Sequence, residues 1–162
     1  IPHPNLQKTY IKNLSSNNEL FSGFQITIEA THHGPTALGK PVIFIEIGTT
    51  PKQWNDTDLC NLVSGVVLST IENDIPNYPF AMCFGGTHYS EKFSNELING
   101  KFALGTVIPK HSLDFLNESL FSHILERNIG VETVLLDYNG LGKNKQKVLD
   151  LLSTTELEVI KL

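Results

Sequence analysis

Short apolar runs recur along this chain, each closed off by glycine, proline or histidine, and the stretches between them carry apolar residues at helical spacing. Phe80–Phe84, Phe102–Ile108, Val131–Leu136 and Leu157–Leu162 read as strands. Asp56-Thr57-Asp58 opens a helix whose apolar face is Leu59, Leu62, Val63, Val66, Val67 and Ile71. Further helices are expected from about Pro4 and over Ser90–Ile98, Leu116–Asn128 and Lys143–Leu152. Two more strands are expected upstream: Phe24, Ile26 and Ile28 alternate with polar residues, and Val42–Ile47 is a nearly continuous apolar run that suits a central strand. Strands and helices that alternate in this way can bury both faces of a sheet under helical layers. The expected fold class is therefore α/β, a three-layer sandwich with a mixed, mostly parallel central sheet.

At 162 residues and 40% hydrophobic content the chain is long enough for one well-buried core, so residues 1–162 are expected to form a single α/β catalytic domain. It opens on Ile1 and enters a helical pattern at once, which reads as a fragment lacking an N-terminal region. The longest apolar runs fall far short of the ~20 residues that cross a bilayer. Cys60 and Cys83 have no CxxC spacing and read as buried free thiols in a reducing, cytoplasmic compartment. Twelve basic against 17 acidic side chains give a net charge of −5, which argues against bulk binding along nucleic acid but leaves recognition of one nucleic-acid end open. No protein partner is evident.

Four of the six histidines, His32, His33, His88 and His111, fall immediately after expected strands, where α/β sheets bind their ligands. If strand geometry persists, His32 and His33 point in different directions, and Glu29 and Thr31 share the face of His33. A carboxylate beside an imidazole orients its tautomer or joins it in holding a metal. Gly34-Pro35 and Gly85-Gly86 are places of close backbone approach, and the N–H groups of Gly85, Gly86 and Thr87 suit a developing oxyanion. Lys92, Lys101 and Lys110 are candidates for neutralising phosphates. Trp54 and Phe93 read as packing residues, and His3 and His123 as surface or hydrogen-bonded side chains. The chain has no GxSxG elbow, no GxxxxGK[ST] loop and no HExxH pair. Hydrolysis by water that is activated by histidine or by a bound metal is the chemistry left.

Glu29-Ala30-Thr31-His32-His33-Gly34-Pro35-Thr36, Pro41–Gly48, Phe84-Gly85-Gly86-Thr87-His88-Tyr89-Ser90-Glu91-Lys92-Phe93 and Val107-Ile108-Pro109-Lys110-His111 together resemble the D-aminoacyl-tRNA deacylases of the archaeal and plant type. The resemblance spans most of the chain and implies a hydrolase that cleaves the ester between a D-amino acid and the 3′ end of tRNA, on a fold similar to bacterial peptidyl-tRNA hydrolase. It implies zinc as cofactor and aminoacylated tRNA as partner. In that setting His32, His33 and His88 are the expected catalytic residues and metal candidates, with Glu29 orienting a histidine. Gly34, Pro35, Thr36, Gly85, Gly86, Thr87, Tyr89, Lys110 and His111 are the expected substrate-binding set. The family commonly has Gly-His where this chain has Gly105-Thr106. A peptidyl-tRNA-hydrolase-like enzyme and a catalytically silent tRNA-binding module are the alternatives, and the missing HExxH disfavours a metallo-exopeptidase.

Overall fold

A computed structural model describes residues 1–34 and 38–162, so the expectations at Pro35 and Thr36 lie outside the described residues. Its elements are α1 (Pro4–Ser16), α2 (Pro51–Trp54), α3 (Thr57–Glu72), β1 (Phe80–Phe84), α4 (Glu91–Asn99), β2 (Ala103–Ile108), α5 (Glu118–Arg127), β3 (Thr133–Leu136), α6 (Lys145–Ser153) and β4 (Glu158–Lys161). Side-chain oxygens start three of these helices: Asp56, Ser90 and Asn117 accept from the backbone N–H of Leu59, Phe93 and Leu120.

The four strands pair in the order β2-β1-β3-β4, and every pairing is parallel. Alternation along the strands divides the core in two. Ala81, Cys83, Leu104, Val107 and Leu135 pack with Tyr10 and Ile11 of α1 and Phe93 and Leu97 of α4. Met82, Phe84, Ile108, Val134 and Leu136 pack with Phe121 of α5 and Val148, Leu151 and Leu152 of α6. Right-handed crossovers explain this division: the chain runs outward from β1 to β2, then returns past β1 to β3, and the reversal moves its helices to the other face. The three-layer α/β sandwich stands as expected.

Two expected strands do not form, and the sheet of the described residues is all parallel rather than mixed. Residues 24–28 have the period of a strand but, among the described residues, no strand beside them. The Ile28 N–H goes to the Ser94 hydroxyl, and next to it Glu29 and Tyr89 form one isolated antiparallel bridge. Val42–Ile47 has no strand partner among the described residues, and Phe44 and Ile45 are 52% and 37% exposed. An apolar run becomes a strand only where another backbone offers its hydrogen-bonding groups. Cys83 is buried as expected, whereas Cys60 is partly exposed, and both are free thiols.

Lys8 ties α1 to α4. It is 1% exposed, and its ammonium donates to the carbonyls of Glu96, Leu97 and Gly100 at 3.3, 2.9 and 2.9 Å, capping the last turn of α4. Desolvation lowers its pKa, and the nearby Glu96 carboxylate works against that shift. Lys8→Met should lower unfolding stability in urea by about 1–3 kcal/mol, because the carbonyls lose their donor in a dry site. The exposed Lys12→Met should change it by less than ~0.5 kcal/mol.

Candidate active site

The site is assembled where the loop after β1 meets the segment that precedes the two adjacent histidines. Ala30 N–H donates to the His88 carbonyl at 2.8 Å, Thr31 N–H to the Val107 carbonyl at 2.9 Å, and Val107 N–H returns to the Thr31 hydroxyl at 2.9 Å. Ile28 and Ala30 are buried on either side of Glu29. This clamp fixes the backbone of Glu29 against β2 and the Gly85–Tyr89 loop, so its carboxylate faces the histidines.

Glu29 Oε1 lies 2.8 Å from His88 Nε2, 3.0 Å from His32 Nε2 and 3.1 Å from the Tyr89 hydroxyl, and Oε2 lies 3.5 Å from His33 Nε2. Burial works against ionisation of Glu29, but the hydrogen bonds from His88, His32 and Tyr89 outweigh it and hold the carboxyl below its ordinary range. The same contact with Glu29 raises the pKa of the Tyr89 phenol. An ionised carboxylate only accepts, so the bonded Nε2 atoms of His32 and His88 carry hydrogen, and in the neutral rings Nδ1 holds the lone pair.

His32 and His33 do not point apart as the strand expectation required. The chain is not extended in a ladder there; both rings turn toward Glu29, with centroids 4.0 Å apart. Thr31 does not share this face, since its hydroxyl is bonded to β2. His33 also pairs with Glu46 at 2.9 Å and stacks on Phe44 with centroids 4.7 Å apart. Glu46 and Phe44 were not foreseen, because the 42–47 run reads as a buried strand; the single charge within that run was the available signal.

The other expected residues divide. His88 and His32 have ring centroids 4.7 Å apart, Tyr89 meets His88 edge-on, and exposed His111 lies 6.2 Å from His88 with no hydrogen bond between them. Gly34 follows the histidines directly and is exposed. Gly85 and Gly86 have φ of 94° and 76°, a region open to glycine, which the sharp turn off β1 requires. Gly85 N–H is bonded to the Ile108 carbonyl at 2.9 Å, which leaves Gly86 and Thr87 of the three expected oxyanion donors. The Thr87 hydroxyl donates to the Tyr89 carbonyl. Lys110 is exposed and its N–H holds the Gly86 carbonyl. Lys101 sits at the opposite, amino-terminal end of β2, away from these loops. Lys92 is paired with Asp137 at 2.7 Å. Thr106 is bonded to Asn128 of the turn after α5, outside the histidine cluster.

Among the described residues, the ligand atoms of Glu29, His32 and His33 all lie within 4.8 Å of one another. Two imidazole nitrogens and a carboxylate oxygen form a donor set that zinc accepts. This group holds two of the three expected metal candidates, His32 and His33, together with Glu29; His88 approaches the same carboxylate from the β1 loop.

A family model described as D-aminoacyl-tRNA deacylase matches residues 1–160. The chain is 54% identical over 160 residues to a D-aminoacyl-tRNA deacylase of Cenarchaeum symbiosum, covering 99% of this chain and 62% of that relative. It is 33% identical over 152 residues to a D-aminoacyl-tRNA deacylase of Methanosarcina mazei, covering 93% and 49%. A crystal structure of a conserved protein of unknown function matches with a TM-score of 0.90 at 26% identity, over 99% of this chain and 57% of that one. The chain therefore spans about half to three-fifths of the length of these relatives.

The lowered pKa of Glu29 has a measurable consequence. A carboxyl whose pKa falls on folding stabilises the protein above its unfolded value, here ordinarily 4.5, and loses that contribution as pH falls through the lower folded value. The stability difference between wild type and Glu29→Gln, about 1 kcal/mol for such partly exposed hydrogen bonds, should hold down to about pH 4.5 and shrink below it in urea unfolding series.

Proposed function

The chain belongs to the D-aminoacyl-tRNA deacylase family, and from that membership we propose that its histidine cluster hydrolyses the ester joining a D-amino acid to the 3′ end of tRNA. The observation that carries the reading is the convergence of His32, His33 and His88 on the one carboxylate of Glu29. It supplies imidazoles of fixed tautomer beside a glycine turn, the parts that ester hydrolysis by water needs.

In the proposed reaction His88, with its Nε2–H donated to Glu29, accepts at Nδ1 a proton from the attacking water. The water oxygen bonds to the ester carbonyl carbon, and the backbone N–H groups of Gly86 and Thr87 receive the charge on the carbonyl oxygen. Collapse breaks the bond to the ribose oxygen, which takes the proton back from His88, leaving a free D-amino acid and tRNA. Glu29 stabilises the imidazolium between these steps. We further propose that zinc is held by Glu29, His32 and His33, where it would supply Lewis acidity to the carbonyl. Tyr89, Lys110, His111 and Gly34 are proposed to border the substrate. The proposed location is the cytoplasm, where charged tRNA is used; among the described residues no helix is long and apolar enough to cross a membrane.

Full-length protein should release tyrosine from D-tyrosyl-tRNA and leave L-tyrosyl-tRNA intact. His88→Ala should lower kcat about 10²–10⁴-fold, the usual contribution of general acid–base catalysis, with circular dichroism unchanged. Near-normal turnover by that variant sinks the assignment. Preferential release from N-acetyl-aminoacyl-tRNA would favour a peptidyl-tRNA-hydrolase-like enzyme instead. If zinc takes part, a chelator should abolish turnover and added zinc restore it, and Glu29→Gln, His32→Ala and His33→Ala should each weaken zinc binding about 10–100-fold in calorimetry.

A further inference from the structure

The loop and helix that follow β3 hold a group of positive charges that the proposed ester chemistry does not use. Residues 138–149 contain Lys143, Lys145 and Lys147 and no acidic side chain. Two of these lysines serve the fold. Lys143 pairs with Asp114 at 2.9 Å, and Lys147 donates to the carbonyls of Leu113 and Asp114, fastening this segment to the turn after β2.

Lys145 is placed differently. Its ammonium lies 4.0 Å from the centroid of the Tyr138 ring, and the ammonium of Lys161, from the end of β4, lies 4.3 Å from the same centroid. The two charges are thus within about 8 Å of each other. No carboxylate among the described residues is within salt-bridge distance of either. The aromatic face holds both cations by its negative quadrupole without neutralising them. Beside them Lys92 bridges the Asp137 carboxylate and the Leu162 carbonyl at 2.7 and 3.0 Å, which fixes Leu162 next to β3.

This pair of unneutralised charges stands on the carboxyl-end rim of the sheet, the rim that carries the His88 loop. β4 is two strands from β1, about 10 Å at the usual strand spacing. A nucleic-acid strand covers that distance in about three nucleotides at ~3.4 Å of rise each. We propose that Lys145 and Lys161, seated on Tyr138, form a station for a backbone phosphate of the tRNA strand that leads away from the scissile ester. The proposal rests on the deacylase reading for the choice of strand. It reconciles a net charge of −5 with a polyanionic substrate, because the positive charge is gathered where the strand passes.

The test uses full-length protein with the double variant Lys145→Gln/Lys161→Gln. Its charge-matched control is Lys12→Gln/Lys101→Gln, at positions on α1 and at the amino-terminal end of β2. Affinity for uncharged tRNA is measured by fluorescence anisotropy across a salt series, and turnover is measured on D-tyrosyl-tRNA and on 3′-O-D-tyrosyl-adenosine, which has no phosphate. The site variant should bind tRNA about tenfold more weakly at ~0.1 M salt, with a log–log salt slope shallower by about 0.7, the value for one single-strand phosphate contact. KM for D-tyrosyl-tRNA should rise to match while kcat stays within twofold, and turnover of tyrosyl-adenosine should not change. Lys145→Arg/Lys161→Arg should restore binding. Affinity and slope equal to those of the control, or no tRNA binding by wild type, would overturn the proposal; so would an equal loss on tyrosyl-adenosine, which moves the lysines into the ester site. Salt-dependent binding lost in the variant, with neither ester hydrolysed by wild type, upholds the phosphate station and removes the deacylase reading.

Discussion

The carboxylate of Glu29 takes hydrogen bonds from His32, His88 and Tyr89 through one oxygen and faces His33 with the other. Three imidazoles from two separate stretches of chain do not gather spontaneously: they compete for solvent and, when protonated, repel one another. A single ionised acceptor resolves both problems, since it offers each ring a partner and balances the positive charge that one of them acquires. The acceptor itself is fixed by its neighbours. Ala30 and Thr31 are bonded to His88 and Val107 through the backbone, so the carboxylate cannot swing away without breaking the link between the 28–31 segment and the sheet.

The sheet decides where this happens. Reversal of the chain between β2 and β3 sends the helices that follow β1 and β3 to opposite faces of the sheet, and α/β sheets bind their ligands beyond the carboxyl ends of the strands at such a reversal. Gly85 and Gly86 let the chain leave β1 in a backbone conformation that other residues avoid. Across from them Gly140 is required for space, because a side chain there would meet the Asp137 carboxylate and the Gly86 nitrogen. The histidines occupy the β1–β2 side of this rim and the lysines about Tyr138 the β3–β4 side. The proposed division of labour, ester chemistry on one side and phosphate contact on the other, follows from strand order.

How much of this was legible in the sequence depended on what its periodicity reports. β1, β2 and β3 were legible because they are buried on both faces and bounded by breakers. Residues 24–28 and 42–47 have equally good patterns, but pattern reports burial preference and not the presence of a pairing edge, and neither segment has one among the described residues. His32, His33, His88 and Glu29 were found from their position after apolar runs. Their mutual orientation was not, since the expected strand geometry placed the two adjacent histidines on opposite faces. Glu46 escaped because it lies in a run read as core, and Thr106, where the family commonly has histidine, is bonded to Asn128 outside the cluster. The Tyr138 lysines are distant in sequence and meet only through the β3–β4 pairing.

The central claim is that Glu29 organises the histidines for hydrolysis, and the rate at which full-length Glu29→Gln cleaves D-tyrosyl-tRNA tests it most directly. A kcat about 10²-fold or more below wild type is expected, in a protein that still folds and binds tRNA with unchanged affinity. A kcat within twofold of wild type would contradict that claim.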